Sequence, residues 1–259
     1  PYPGGVTVEI GWPLAVALGI LIVGGVAVSA AGRLPVARSI PWAAVRAGVQ
    51  LSAVTLVVGF ALQRVAFALA FVAVMFLIGV YTTAQRTGLN TWLGRGSAAL
   101  AMLAGALPVL VVIFASGVAP LNGPAIVPIA SILVGNVMTA HTLVGRRAFA
   151  DLRDGIDQYD ARLALGYWRS QAIHRVVSPN LHEALIPALD QTRTVGLVAL
   201  PGAYIGVLLG GGSPWAAAAA QILVLVGINT GQAAVAVTAR LLMARTWLLP
   251  ADLRARLRP

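Results

Sequence analysis

This chain of 259 residues is 59% hydrophobic and only 10% charged, with a net charge of +10. Soluble domains carry about a quarter charged residues, so the composition predicts an integral membrane protein. The chain has no cysteine and no lysine, which excludes disulfides, thiolate metal sites, the lysine-bearing phosphate loop of nucleotide hydrolases and Schiff-base cofactors. The basic excess is interpreted as a topology signal, so we expect neither a nucleic-acid partner nor a cofactor bound by this chain.

Seven apolar stretches are long enough to cross a bilayer, since a helical crossing needs about 20 residues. The fold class predicted is therefore all-α, a polytopic membrane protein formed as a single domain over residues 1–259. No cleavable signal peptide is expected, because the chain opens without a basic segment. The predicted spans are residues 11–31, 43–62, 65–84, 97–118, 124–144, 194–212 and 215–240.

Charged residues in the connections predict the orientation. Arginines cluster in alternate connections, whereas residues 119–123 and 211–213 carry no charge. The positive-inside rule then places the N-terminus outside the cell (plasma or inner) membrane and the C-terminus in the cytoplasm. Only Gln63 and Arg64 separate spans two and three. If those spans were one bent helix, the orientation of everything downstream would invert.

The longest polar segment, residues 146–193, is predicted to be a cytoplasmic coupling segment between spans five and six. Residues 146–183 alone hold six of the eighteen arginines and five of the eight acids. Acids recur every third residue from Asp151 to Asp160, and a solvated helix face would explain them. The alternative is an element that meets a partner, because Gly166 permits a left-handed turn between two short helices.

Several strings of this sequence resemble one family of transport proteins. Asp160-Ala161-Arg162 followed by Leu165-Gly166 resembles the loop by which permease subunits of ABC transporters dock on their ATPases. Further matching strings lie at residues 45–51, 132–138, 163–166, 184–187 and 196–202. Over residues 40–240 the chain is similar to the FetB-type (YbbM-like) ABC transporter permeases, a family of iron exporters.

The resemblance implies that transport and ATP hydrolysis are performed by two different subunits. This chain would be the membrane permease, not an enzyme, and a separate cytoplasmic ATPase would hydrolyse ATP after docking on residues 157–177. The leading hypothesis adds a homodimer of this chain around a central path. The residues assigned to ATPase coupling are Asp160, Ala161, Arg162, Leu165, Gly166, Tyr167 and Trp168.

The translocation path is predicted between spans six and seven. Pro201-Gly202 would interrupt span six, either as a functional break or as a simple kink. On span seven, three polar side chains lie within about 80° of one another at 3.6 residues per turn; hydrogen bonding between helices would also explain them. The residues assigned to the path are Asn136, Pro201, Gly202, Tyr204, Gln221, Asn229 and Gln232.

The cargo stays open at this stage between iron and an organic solute. The resemblance implies iron export, but residues 203–208 are apolar where the family typically has methionines, a threonine and a glutamine. Such a lining suits a partly apolar organic molecule better than a metal ion. The three histidines are spread along the chain and predict no metal site, only surface positions. Asp190 and Arg193, three residues apart, are interpreted as an ion pair at the membrane interface.

Two other classes of function were weighed against a transport subunit. A stand-alone secondary transporter or channel would require an ion-coupling carboxylate inside a span, and none of the eight acids lies well inside a predicted one. A membrane-embedded enzyme would require paired carboxylates or a catalytic triad. Neither pattern is present in the sequence.

Overall fold

A computed structural model describes residues 10–257. Within this range every regular element is helical, apart from one isolated bridge between Val195 and Ala199. The helices are α1 Trp12–Ala31, α2 Ser39–Gln63, α3 Val65–Thr87, α4 Trp92–Ala115, α5 Gly123–Asp154, α6 Ile156–Ala164, α7 Arg169–Val177, the 3₁₀ segment Ser178–Leu185, α8 Ile186–Thr194, α9 Gly202–Leu209, α10 Pro214–Ala244 and α11 Ala251–Arg256.

Six of the described helices, α1 to α5 and α10, are long and apolar enough to cross a membrane. The polytopic, all-helical prediction is confirmed to that extent. Spans two and three are separate helices, because Arg64 adopts an extended backbone between them, with φ −140° and ψ 144°. A bent continuous helix is therefore excluded.

The sixth predicted span, residues 194–212, is not a continuous helix, and this prediction is corrected. Helix α8 ends at Thr194, the chain is irregular as far as Leu200, and α9 begins at Gly202. Two residues explain the break. Gly196 adopts a left-handed φ of 78°, and Pro201 lacks the N–H that a continuing helix requires.

The boundary of the polar segment also shifts. Helix α5 runs ten residues beyond the predicted span end at 144 and stops only at Asp154. Residues 146–154 therefore extend α5, and the independent part of the segment starts at Gly155. The acids spaced by three do not form one helix face, because Gly155 divides them between α5 and α6.

Contacts between residues divide the chain into two units, and the boundary along the chain falls between Ala61 and Leu62. The first contains α1 and most of α2, and Gly25 lies against the Ile40 side chain within it. The second contains helices α3 to α11. Its centre is a bundle of α3, α4, α5 and α10, which encloses Met102, Val137 and Val235.

Helices α4 and α10 approach closely because glycines face each other. A Cβ added to Gly105 would lie 2.5 Å from the carbonyl oxygen of Gly231, and one added to Gly227 would lie 2.9 Å from Val109. The Gly206-x-x-x-Gly210 spacing suggests the same role from sequence. An added Cβ at Gly206, however, meets no atom within 4 Å.

We expect Gly105→Ala to destabilise the bundle by about 1–3 kcal/mol, because the backbone of Gly231 must move to admit the methyl group. Gly206→Ala is the matched control, since the space beside Gly206 is open. Thermal unfolding of both purified variants in detergent measures the difference. Equal melting temperatures for the two variants would contradict the close α4–α10 approach.

Candidate functional site

The predicted helix–turn–helix is present, and its turn has a defined hydrogen-bond pattern. Helix α6 ends in a Schellman motif, in which the Tyr167 N–H donates to Arg162 O at 3.0 Å and the Gly166 N–H donates to Leu163 O at 2.9 Å. Gly166 has a φ of 82°, as the motif requires. Helix α7 then begins at Arg169, and the Trp168 N–H donates to the Gln171 side chain at 3.1 Å.

Helices α6 and α7, the 3₁₀ segment and α11 form what we call the platform, which lies against one end of the bundle. Its inner side chains are buried in one apolar cluster with the ends of α3, α4, α5 and α10. Tyr159 and Ile173 are 1% and 0% exposed, and Leu253 of α11 is 0% exposed. Gly155 lets α7 approach the end of α5 closely, because an added Cβ there would lie 2.9 Å from Val176.

Polar contacts add to the apolar anchoring of the platform. The Arg153 side chain donates to Asp252 at 2.8 Å, and this hydrogen bond holds the pKa of the Asp252 carboxyl below its usual value. Arg169, the first residue of α7, donates to the carbonyl oxygen of Leu257. Helix α11 and Leu257 therefore bind both the end of α5 and the start of α7.

The tip of the platform presents apolar side chains to the exterior. Leu165 and Trp168 are each 76% exposed, and Tyr167 is 40% exposed. All seven residues that the sequence assigned to coupling lie on α6 or in the turn that follows it. Crowding does not constrain Gly166, since an added Cβ meets nothing within 4 Å. Its left-handed φ alone opposes a β-branched replacement.

The histidines do not all lie on the surface, contrary to the sequence interpretation. His141 is fully buried in α5, where its Nδ1 and the Thr83 hydroxyl are 2.8 Å apart. His174 is partly buried in α7, and burial together with the charges of Arg240 and Arg175 lowers its pKa. Among residues 10–257, no group of three or more histidine or acidic side chains could hold a metal ion.

Polar side chains of α10 bond to three different elements. Gln221 accepts from the Tyr204 N–H at 3.2 Å and thereby caps the start of α9. Gln232, 5% exposed, donates to the carbonyl oxygen of Asn136 at 3.4 Å. Hydrogen bonding between elements, the alternative that the sequence left open, is therefore observed for these residues. Pro201 is the N-cap of α9 and Gly202 is its first residue, at the turn that Gln221 caps.

Helix α8 is joined to α10 by a further polar contact. The Asn229 side-chain amide donates to the Thr192 hydroxyl at 2.8 Å, while the buried Asn229 Oδ1 has no hydrogen-bond partner. Because Thr192 faces Asn229 and Tyr204 faces Gln221, the segment from α8 to α9 runs antiparallel to α10. The contact places α8 beside the middle of α10.

The ion pair expected from the sequence is present on α8. Asp190 and Arg193 are 3.2 Å apart and 57% and 73% exposed, and they lie within one turn of Thr192.

Comparison with known proteins adds family information to this geometry. The sequence matches the family described as "Uncharacterised protein family (UPF0014)" over residues 12–248. The chain belongs to the UPF0014 family. The match takes in α6, α7 and the 3₁₀ segment of the platform, together with the broken segment between α8 and α9, and it ends before α11. The FetB-type resemblance is thereby confirmed, since a FetB protein is among the relatives of this UPF0014 chain.

Three relatives show how widely these proteins occur. This UPF0014 chain is 34% identical to "UPF0014 membrane protein STAR2" of Oryza sativa subsp. japonica over 83% of its own length and 76% of the relative. It is 30% identical to "Probable iron export permease protein FetB" of Escherichia coli (strain K12) over 82% of each. It is 28% identical to "UPF0014 membrane protein YjkA" of Bacillus subtilis (strain 168) over 79% and 81%. No solved structure matches the chain.

Proposed function

We propose that this chain is the permease subunit of an ATP-driven exporter of the ABC class. A separate ATPase docks on residues 157–177 of the platform, and two copies of the chain surround one path. The observation that carries the proposal is the platform itself, with a buried inner side and an exposed apolar tip. A surface built in this way suits a partner protein, because buried aromatic and aliphatic anchors dominate binding energies at protein interfaces.

The platform is suited to transmit movement of the ATPase into the membrane. Helix α7 packs on both α5 and α10 through Ile173 and Val177, which are each 0% exposed. A densely packed contact passes displacement to its neighbours rather than absorbing it. A shift of the tip would therefore move the ends of the two longest helices, α5 and α10.

We also propose that residues 186–209 form a seventh crossing in two pieces. Near their C-terminal ends, α5 and α10 share the platform cluster through Leu152 and Met243, and nearer their middles they share the bundle core through Val137 and Val235, which supports a parallel course for these helices. Between two parallel spans the chain must return across the bilayer. Helices α8 and α9 make that return, with irregular backbone between them where it lines a cavity.

Seven crossings and the positive-inside rule put the platform in the cytoplasm and the N-terminus outside the cell membrane. In this orientation α8, α9 and α10 border the path, together with Asn136 on α5. The pieces of the broken crossing can rotate separately, because no hydrogen-bonded helix joins them. The cargo proposed is iron, because the Escherichia coli relative is named as a probable iron export permease.

Docking is tested by copurification. The tagged permease is expressed with candidate ABC ATPase subunits, and any complex is isolated in detergent and assayed for ATP hydrolysis. We expect a stable complex with two copies of each subunit and with ATP turnover that iron stimulates. Recovery of the permease alone, with candidate ATPases present in excess, would contradict the proposal.

Orientation is tested with single introduced cysteines, since the chain has none of its own. We expect an impermeant thiol reagent to label Asn122→Cys and Ser213→Cys in intact cells. Ser170→Cys, on the platform, should react only after the cells are permeabilised. The opposite labelling pattern would invert the topology.

A further inference from the structure

A groove runs between α6 and α7 on the exposed side of the platform. It consists of three cavities of about 390, 430 and 320 Å³. Tyr167 and Arg175 line both the first and the second cavity. Gln158, Arg162 and Arg175 line both the second and the third. The cavities therefore adjoin, and Arg175, which borders all three, lies at the centre of the groove.

Helix α6 turns different side chains toward the core, the groove and the exterior. Ile156, Tyr159 and Leu163 pack in the apolar cluster of the platform. Asp157 and Asp160 are exposed and line none of the three cavities. The groove is lined by residues spaced as i, i+3, i+4 and i+7, which share one helix face: Gln158, Ala161, Arg162 and Leu165. The acids of α6 therefore lie outside the groove.

The centre of the groove is positively charged. Arg162 donates to the Gln158 carbonyl oxygen at 2.8 Å, and Arg175 is exposed. Among residues 10–257, neither arginine forms an ion pair with a carboxylate. Burial together with the charges of Arg240 and Arg175 lowers the pKa of His174, which lines the first cavity. The positive potential therefore extends beyond the two arginines of the centre.

The groove changes in character from one end of α6 to the other. Asp151 and Asp154, which precede α6, border the third cavity, and Asp151 is already paired with Arg147 at 3.5 Å. Leu165 and Tyr167, which follow α6, border the second cavity beyond the arginines. An incoming carboxylate is therefore repelled at the first end and stabilised at the centre, where an apolar surface adjoins it.

We propose that this groove binds an acidic segment of the ATPase. One carboxylate of the segment contacts Arg162 and Arg175, and a neighbouring apolar side chain packs on Leu165 and Tyr167. Guanidinium groups suit this role, because their planar N–H donors match a carboxylate in paired hydrogen bonds. The aspartates on the outer face of α6 and at the third cavity repel the same segment from other positions. The groove thereby selects both the partner and its register.

This inference rests on the proposed function, because it requires that the ATPase dock on the platform. The chemistry that the ATPase must supply is the new element. The exposed tip offers apolar contact area, which many hydrophobic surfaces could match. The arginine centre, by contrast, requires an acid at one position of the partner. Charge complementarity of this kind governs partner choice and the rate of association.

The test measures the affinity of the purified ATPase for the full-length permease in discs of neutral phosphatidylcholine. We expect Arg175→Glu to raise the dissociation constant at least tenfold, because a like charge then faces the partner carboxylate. Arg175→Gln should raise it about threefold, as loss of one exposed ion pair does. Arg146→Glu is the matched control, since Arg146 is exposed on α5 and lines none of the three cavities. It should leave the dissociation constant unchanged.

A charge exchange identifies the acid of the partner. Each exposed acid of the ATPase is replaced in turn by lysine. We expect one such variant to bind wild-type permease at least tenfold more weakly and to regain that affinity with Arg175→Glu, because the exchanged pair attracts again. Misfolding of either protein cannot produce such compensation, since two damaged partners would bind more weakly together. If no lysine variant compensated for Arg175→Glu, the carboxylate contact would be overturned.

The remaining outcomes separate the groove from the docking function. Unchanged affinity in Arg175→Glu would overturn the groove and leave docking on the platform intact. Equal weakening by Arg175→Glu and Arg146→Glu would also overturn it, because the general surface potential would then explain both. An effect of Arg175→Glu confined to discs with anionic lipid would identify a lipid headgroup as the occupant. Failure of every ABC ATPase to bind the wild type would overturn the proposed function itself.

Discussion

Leu165→Asp combined with Trp168→Asp is expected to abolish capture of the ATPase while the permease still inserts and folds. Both side chains are 76% exposed, so neither contributes much to the stability of the isolated chain. A charge placed in an apolar interface is desolvated without a partner. Loss of a central aromatic anchor alone costs 2 kcal/mol or more, which corresponds to about a thirtyfold loss of affinity.

The measurement is copurification of the ATPase with membrane-extracted variant and wild type, at equal amounts of permease. Leu121→Asp is the matched control, because Leu121 is 63% exposed in the connection at the opposite end of α5. The Leu121→Asp variant should still capture the ATPase at the wild-type level. If the double variant still captured the ATPase at wild-type affinity, the tip would not be the docking surface.

Leu253→Ala is expected to loosen the platform and uncouple ATP hydrolysis from transport, although Leu253 lies far along the chain from the tip. It is 0% exposed and belongs to the apolar cluster that includes Tyr159 and Ile173. Removal of a buried leucine side chain costs about 2–5 kcal/mol. Because the bundle has its own core around Met102, we expect the loss of stability to be confined to the platform.

Limited proteolysis of the purified protein measures this effect at residues 155–168. We expect cleavage there to be at least tenfold faster in Leu253→Ala, with the bundle helices still protected. Arg256→Ala is the control, since Arg256 is exposed on the same short helix. Unchanged cleavage in Leu253→Ala would show that α11 does not hold the platform.

Part of the fold could be predicted from the sequence, because it depends on the chemistry of neighbouring residues. Long apolar runs predicted the membrane helices, because a lipid-exposed backbone must satisfy its hydrogen bonds within one helix. Gly166 predicted the turn of the platform, since a left-handed φ strongly favours glycine. Proline and glycine at positions 201 and 202 likewise predicted a break. These features depend on a residue and its immediate neighbours.

Other features depend on residues far apart in the chain, and the sequence alone misplaced them. Gly206 and Gly210 have the spacing of a packing motif, yet the close approach is made by Gly105 and Gly231. His141 ends a predicted span but is buried against Thr83, 58 residues away. Spacing within one helix does not reveal which face meets another helix.

The sequence by itself determined that this chain is a helical membrane protein with a polar helix–turn–helix, because composition and turn chemistry act over a few residues. Only the tertiary structure decided that α8 lies beside the middle of α10. That pairing depends on the hydrogen bond between Thr192 and Asn229, which are separated by 37 residues. Hydropathy records how apolar a segment is, whereas contacts between distant residues decide which segments pack together.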